Sequence, residues 1–397
     1  MRAPSSTGFL VKGLAALVAT ALACFSLRRI GLLVAALLPR RAVTGAVTLP
    51  SVLLVVAARD EADCVDSLLA ALEAIDYPAE RLFTVLVDDC STDQTGDRFD
   101  QWAARRPRAL SLRLPTHAGK HQAQREGMTA EAGEIIVTCD ADVRPRPDCL
   151  RRLTEAFADE GVGAAAAFVA PENATATPIA RYAAVESWVH QLVTSAGKDR
   201  LDLNPPAPGG CSAYRRSALE QIGWFGPEPG ADVRVTAALT RAGWRTRFVP
   251  EAVAETAVVQ RWRDYWHQHI RWGRNLFSSA GAGERVSRSV PLARRVEAWM
   301  TAAGYADRLV LLLALPLIAA RRLTSRFAAL YLAIVTGEVC VALAKARVAR
   351  DGHRFLLWTG ALFALDVVAS VAAAAAHLLG RPRAWRPQRG AGSDATS

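Results

Sequence analysis

Between residues 51 and 139 the chain alternates short, unbroken apolar runs with segments of helical periodicity, and this limits its fold more than any other feature. Ser51-Val-Leu-Leu-Val-Val-Ala57 has no polar residue after its first. A strand with one wet face would alternate, so an unbroken run predicts a strand covered on both sides. Residues 60–74 follow with Val65, Leu68, Leu69 and Leu72 at helical spacing. The pattern repeats as strand 83–87, helix 93–104, strand 109–114, helix 120–131 and strand 134–139. Strands alternating with helices predict an α/β fold with a mostly parallel sheet flanked by helices.

Two of these strands end in acids: Phe83-Thr-Val-Leu-Val87 in Asp88-Asp89, and Glu134-Ile-Ile-Val-Thr-Cys139 in Asp140-Ala-Asp142. In open α/β sheets ligands collect beyond the carboxyl ends of the strands. Carboxylates delivered there by two strands can hold a nucleotide and the metal on its phosphates. Gly161-Val-Gly163 with Ala166 nominally reads GxGxxA, but it precedes an apolar strand instead of opening a helix, so a nicotinamide site is not expected.

The two ends of the chain differ from this middle. Hydrophobic residues make up 51% and mean hydropathy is +0.13, which suggests membrane content. Phe9 to Leu27 is apolar except for Lys12 and long enough to span. We read it as an uncleaved anchor, although Ala21-Leu-Ala-Cys24 faintly resembles a signal-peptide cleavage box. Arg28, Arg29, Arg40 and Arg41 then place the following segment in the cytoplasm. Leu309–Ala320, Phe327–Ala344 and Phe355–Leu379 are the later candidate spans, the first too short to cross. Charge therefore favours two full C-terminal spans, with Glu338 and Asp366 inside them and Arg308 as a candidate partner. The net charge of +10 is clustered beside apolar runs, as at membrane flanks, and no nucleic-acid module is recognisable. Seven scattered cysteines without a CxxC predict neither a disulfide framework nor a zinc site, in keeping with a reducing compartment.

Two amphipathic stripes read as interfacial. One is Ile179, Tyr182, Val185, Val189, Leu192 and Val193, which could equally pack on the sheet. The other is Trp262, Tyr265, Trp266, His269, Leu276 and Phe277, set among arginines. The expected division is an anchor and basic linker over 1–49, a cytoplasmic catalytic domain over 50–258 and interfacial helices over 259–300. Membrane helices over 301–380 and a basic tail over 381–397 complete it.

Several motifs in order carry a family resemblance over residues 50–280. Val55-Val-Ala-Ala-Arg-Asp-Glu61, Asp76-Tyr-Pro78, Val87-Asp-Asp-Cys-Ser-Thr-Asp93, Cys139-Asp-Ala-Asp142 and Gln268-His-Ile-Arg-Trp272 resemble the inverting family-2 glycosyltransferases of the GT-A fold. The similarity is to the membrane-embedded branch with cellulose-, hyaluronan- and poly-N-acetylglucosamine-synthase relatives. It implies a GT-A sheet with N- and C-terminal transmembrane helices, a multi-pass protein of the inner membrane and a cytoplasmic catalytic domain.

The resemblance also implies roles. Asp88, Asp89, Lys120, Asp140 and Arg271 would bind the donor, a UDP-sugar first among nucleotide sugars. Asp140 and Asp142 would hold Mn²⁺ or Mg²⁺, since a departing diphosphate needs its charge neutralised. Gly210 and Cys211, in a glycine-rich turn, and Gln268 and Trp272, in QxxRW, would face a lipid or glycan acceptor. Asp232 would be the general base, taking the proton of the attacking hydroxyl. The chain departs from the family pattern at Arg125, where an asparagine is usual, and at Ala231, where a glutamate is usual. A processive polysaccharide synthase, a non-catalytic assembly subunit and a nucleotidyltransferase are the competing readings.

Overall fold

The computed structural model describes residues 6–40, 49–226, 231–281, 290–302, 306–318, 322–348 and 351–379. The chain opens with α1 (Ser6–Leu37), then β1 (Val52–Ala58), α2 (Ala62–Glu73), β2 (Leu82–Asp88), α3 (Thr95–Ala103) and β3 (Ala109–Arg113). It continues through α4 (Lys120–Thr129), β4 (Ile135–Asp140), β5 (Val143–Pro145), α5 (Cys149–Glu155) and β6 (Val162–Pro171). Helix α6 (Pro178–Trp188) runs through a π-helical segment, Val189–Ser195, into α7 (Ala196–Arg200). Then come β7 (Cys211–Arg215), α8 (Arg216–Ile222), α9 (Ala231–Arg241) and β8 (Arg245–Thr256). Helices α10 (Trp262–Gly281), α11 (Leu292–Ala302), α12 (Ala306–Ile318), α13 (Arg322–Lys345) and α14 (Gly352–Leu378) close the described chain.

The eight strands form one sheet in the order β3-β2-β1-β4-β7-β6-β8-β5. Strands β3, β2, β1 and β4 are mutually parallel, as the alternation predicts. Strand β7 is antiparallel to both its neighbours, and β5 is antiparallel to β8. The unbroken apolar run of β1 is explained by two-sided cover. Leu53 and Val55 join a core under α4, α6 and α8, while Val52, Leu54 and Val56 join another under α2, α3 and α5. Gly161 and Gly163 lie just before and within β6, confirming a strand where GxGxxA would need a helix. All seven cysteines are free.

The stripe in 178–196 packs inward, not at an interface: Tyr182, Val185 and Val193 are buried, and Val185 and Val193 belong to the sheet core. In the second stripe, Tyr265 and His269 are buried, with Tyr182 of α6 and Leu362 of α14 packed beside Tyr265. The side chains of Leu276 and Phe277 lie outside the described residues. An exposed apolar stripe occurs instead on α11, at Leu292, Val296 and Trp299.

Among the described residues two helical stretches, Val11–Leu37 and Thr324–Lys345, are long and apolar enough to cross a membrane, while in the expected last span the apolar stretch is the shorter Leu365–Ala376. Helix α12 has 13 residues, about 20 Å of helix, against a hydrocarbon core of about 30 Å. Helix α1 does not stop at its arginines. At 32 residues it spans about 48 Å, and its last turns join the sheet core through Leu33 and Ala36. It approaches α7 so closely that any side chain at Gly197 would run into the Leu32 carbonyl. Arg28 pairs with Glu297, and Arg29 with Asp307 and Glu338, all three acids buried. Of the two acids for which Arg308 is the candidate partner, Asp366 pairs with it, as Asp307 does, while Glu338 pairs with Arg29.

Candidate functional site

The carboxyl ends of β2 and β4 lie on either side of β1. In register, Ala58 faces Asp88 and Ala57 faces Asp140, so the two acid motifs share one edge of the sheet, about 10 Å apart across two strand spacings. This geometry carries every later step.

Turns after β1 and β2 are tied to one another. Asp60 and Cys90 both adopt positive φ, +53° and +61°, a conformation uncommon for side chains other than glycine. The backbone N–H of Asp60 donates to Ser91 Oγ, and the N–H of Thr92 donates to Asp60 Oδ1 at 2.7 Å. That Thr92 amide holds the Asp60 carboxyl below the usual aspartate range. Asp93 accepts from the Ala62 amide, which fixes the start of α2. Asp88 is buried, with one oxygen taking the Ser91 amide and the other against Gly96, where a Cβ would sit 2.5 Å away. Only glycine fits there without displacing the carboxylate.

Asp89 faces its own chain. Oδ1 accepts from the Ala118 amide at 2.7 Å, while Oδ2 accepts from the Gly119 amide at 2.9 Å and lies 2.8 Å from His117 Nδ1. It thereby sets the loop that delivers Lys120. The Lys120 ammonium reaches Asp140 Oδ1 at 2.6 Å, so this lysine points into the site.

Burial pushes the Asp142 carboxyl above the usual range, the Asp140 charge adds to it, and Lys120 and Arg271 pull the other way. Arg271 of α10 therefore acts on the Asp140-Ala-Asp142 turn from more than a hundred residues away in sequence. Glu61, which motif reading left without a role, belongs to the same cluster. Burial raises its pKa to about 7, against a Cys64 thiol that lowers it and the charges of Asp142, Asp140 and Asp93 that raise it further. A concentration of carboxylates that raises its own pKa values suits a hard divalent cation, which takes oxygen ligands.

Gly210 and Cys211 also meet this edge. The Asp140 amide donates to the Gly210 carbonyl at 2.9 Å, and Cys211 is the register partner of Cys139. The Cys211 thiol is buried in the core with Cys139 and Cys149, so the turn presents backbone, not sulfur, to the cleft. Gln268 is half-buried on α10, and Trp272 is 47% exposed. Asp232 falls in the first turn of α9, and its side chain lies outside the described residues.

Among the described residues, three metal-competent ligand atoms lie within 4.8 Å of one another at a different place, formed by Glu186, His269 and Asp366. These groups are engaged with one another and with Arg308 and Tyr265.

Residues 50–275 match the family model described as glycosyltransferase-like family 2, more than half of the chain. An N-acetylglucosaminyltransferase of Mesorhizobium japonicum is 32% identical over 232 residues, covering 56% of this chain and 53% of its own length. A probable glycosyltransferase of Bacillus subtilis, YdaM, is 28% identical over 231 residues, covering 57% of this chain and 55% of its own. The chain thus spans about half the length of the curated relatives it matches. In fold it is similar to the mannosyltransferase PcManGT from Pyrobaculum calidifontis, solved in complex with GDP-Man and Mn²⁺. The TM-score is 0.67 at 24% identity, over 93% of this chain and 100% of that one. With acids from two parallel strands meeting at one sheet edge and a family match spanning the whole α/β unit, the chain belongs to glycosyltransferase family 2 and has a GT-A-like fold.

Proposed function

We propose that this enzyme moves a sugar from a UDP-sugar to a lipid or glycan acceptor at a membrane face, with inversion and in a single displacement. The observation that carries this reading is the meeting of Asp88, Asp140 and Asp142 with Lys120 and Arg271 at one sheet edge. A divalent cation bound by Asp140 and Asp142 would act as a Lewis acid on the diphosphate. Lys120 and Arg271 add positive charge where the leaving group's negative charge grows, and arginine can grip a phosphate with two parallel hydrogen bonds. Asp232 takes the proton of the acceptor hydroxyl as its oxygen bonds to the anomeric carbon. The bond from that carbon to the diphosphate oxygen breaks on the opposite face, which converts an α-linked donor to a β-linked product. The backbone turn at Gly210 lets an acceptor come close.

The membrane reading rests on the two apolar helices and on the many large apolar side chains exposed along the bundle, among them Leu14, Leu17, Leu312, Leu313, Leu356 and Leu357. The exposed Leu292, Val296 and Trp299 of α11 suit the headgroup layer. An inner-membrane enzyme with its catalytic domain in the cytoplasm follows from the donor, which is made there.

The relatives' names make N-acetylglucosamine the first sugar to test. Purified full-length chain would be incubated with labelled UDP-N-acetylglucosamine or GDP-mannose, Mn²⁺ and lipid extract. Label passing into organic solvent supports a lipid acceptor, and long alkali-resistant product makes the enzyme a processive synthase. Transfer that persists unchanged in Asp232→Asn removes the base assignment, and pyrophosphate release in place of a nucleoside diphosphate overturns the reaction class.

A further inference from the structure

A chain of buried charged and polar groups runs from the apolar helices to the QxxRW helix. Glu338 on α13 meets Arg29 on α1, and Arg29 meets Asp307 on α12. Arg308, next along α12, joins Asp307 to Asp366 on α14. The Tyr265 hydroxyl of α10 lies between Asp366 and Glu186 of α6, 3.4 Å and 3.0 Å from their oxygens. His269 ends the chain, with Nε2 3.2 Å from Glu186 and Nδ1 3.0 Å from the Tyr265 carbonyl. Burial lowers the His269 pKa, but Glu186, with help from Asp366, more than reverses this and raises it.

The His269 ring has both a stacking partner and polar partners. It stacks on Tyr265 at 3.8 Å between centroids, and its other neighbour is the Trp272 indole at 5.2 Å. Trp272 is one helical turn further on and half exposed, and the imidazole is a surface against which its indole lies. Both nitrogens of His269 are committed to partners on α6 and α10, so the ring cannot turn without breaking polar contacts in a largely buried setting.

We propose that His269 is a positioning residue for Trp272: the Glu186–His269 pair, anchored to the apolar helices through Tyr265, Asp366 and Arg308, sets the angle at which the indole faces the acceptor. This rests on the transfer reading above. The chemistry is that of an aromatic platform held by an imidazole whose two nitrogens both have oxygen partners, and no ligand is needed at the Glu186–His269–Asp366 cluster itself.

The test uses the full-length chain labelled with 5-fluorotryptophan, in which the Trp272 fluorine resonance is assigned by its loss in Trp272→Phe. His269→Ala and Glu186→Gln are expected to shift or broaden that resonance while those of Trp102 and Trp244 stay in place. Release of UDP from UDP-N-acetylglucosamine is expected to fall about tenfold in His269→Ala, the scale of a small misplacement at an acceptor site. The same change in a Trp272→Ala background is expected to cost less than about twofold, because groups acting through one another are not additive. An unmoved Trp272 resonance in both variants, or fully additive losses, overturns the proposal. Should His269→Ala lose all tryptophan dispersion through misfolding, the nearly isosteric Glu186→Gln decides. Full activity of Trp272→Ala alone would remove the acceptor role of Trp272 and leave the fluorine result to judge the His269 contact.

Discussion

Replacing Glu61 with glutamine isolates the electrostatic cost of gathering carboxylates at the sheet edge. The Glu61 pKa stands at about 7 against an ordinary 4.5, raised first by burial and then by Asp142, Asp140 and Asp93. A group raised in the folded state contributes stability that is fully present below its unfolded pKa and is lost as pH rises through the folded one. The window is therefore about pH 4.5 to 7, with stability falling as pH increases. The unscreened shift corresponds to about 3 kcal/mol, and solvent screening at a half-buried carboxyl reduces this to about 1–2 kcal/mol. For a catalytic domain of this size, that is a melting shift of roughly 2–8 °C. Melts in chelator at pH 4 and pH 8 are expected to show Glu61→Gln matching the parent at pH 4 and melting higher at pH 8. Equal melting at pH 8, or a gain at pH 4 alone, would refute the claim that Glu61 shares the field of Asp140 and Asp142.

Further changes test separate links. Lys120→Met removes the cation beside Asp140 and is expected to lower kcat/KM for the donor by about 10²-fold with little change in melting; unchanged donor kinetics would return this lysine to the surface. Gly96→Ala puts a methyl 2.5 Å from the Asp88 carboxylate and should destabilise by about 1–3 kcal/mol while weakening donor binding, both readable in one titrated melt. Arg29→Met strips Asp307 and Glu338 of a shared partner and is expected to cost about 3–5 kcal/mol, seen as loss of folded protein in detergent.

What could be read from the sequence follows from where the causes lie. Strands β1, β2 and β4 fall within a residue or two of the expected limits because two-sided burial is written locally as an unbroken apolar run. That Asp88 and Asp140 lie at the same end of the sheet follows from the parallel direction of their strands, whereas the placing of β1 between them is not written in either motif. The destination of Arg28 and Arg29 was not. Their acids lie 269 to 309 residues away, and two adjacent arginines after an apolar stretch look the same whether they meet lipid headgroups or buried carboxylates. Tyr265 and His269 were misplaced for a similar reason: an aromatic stripe has the same spacing whether it faces lipid or α6 and α14. Glu61 was visible as the end of the first motif, but its place in the acid cluster depends on three acids from two other loops, and no spacing encodes that convergence.

Calorimetric titration of UDP-N-acetylglucosamine and of GDP-mannose into the purified full-length chain, with and without Mn²⁺, tests the central claim most directly. One nucleotide sugar should bind in the presence of Mn²⁺, with affinity lost on chelation and lost again in the Asp140→Asn/Asp142→Asn double variant. Binding of equal strength in that variant, or of neither nucleotide sugar to a folded parent chain, would contradict a donor site at the ends of β2 and β4.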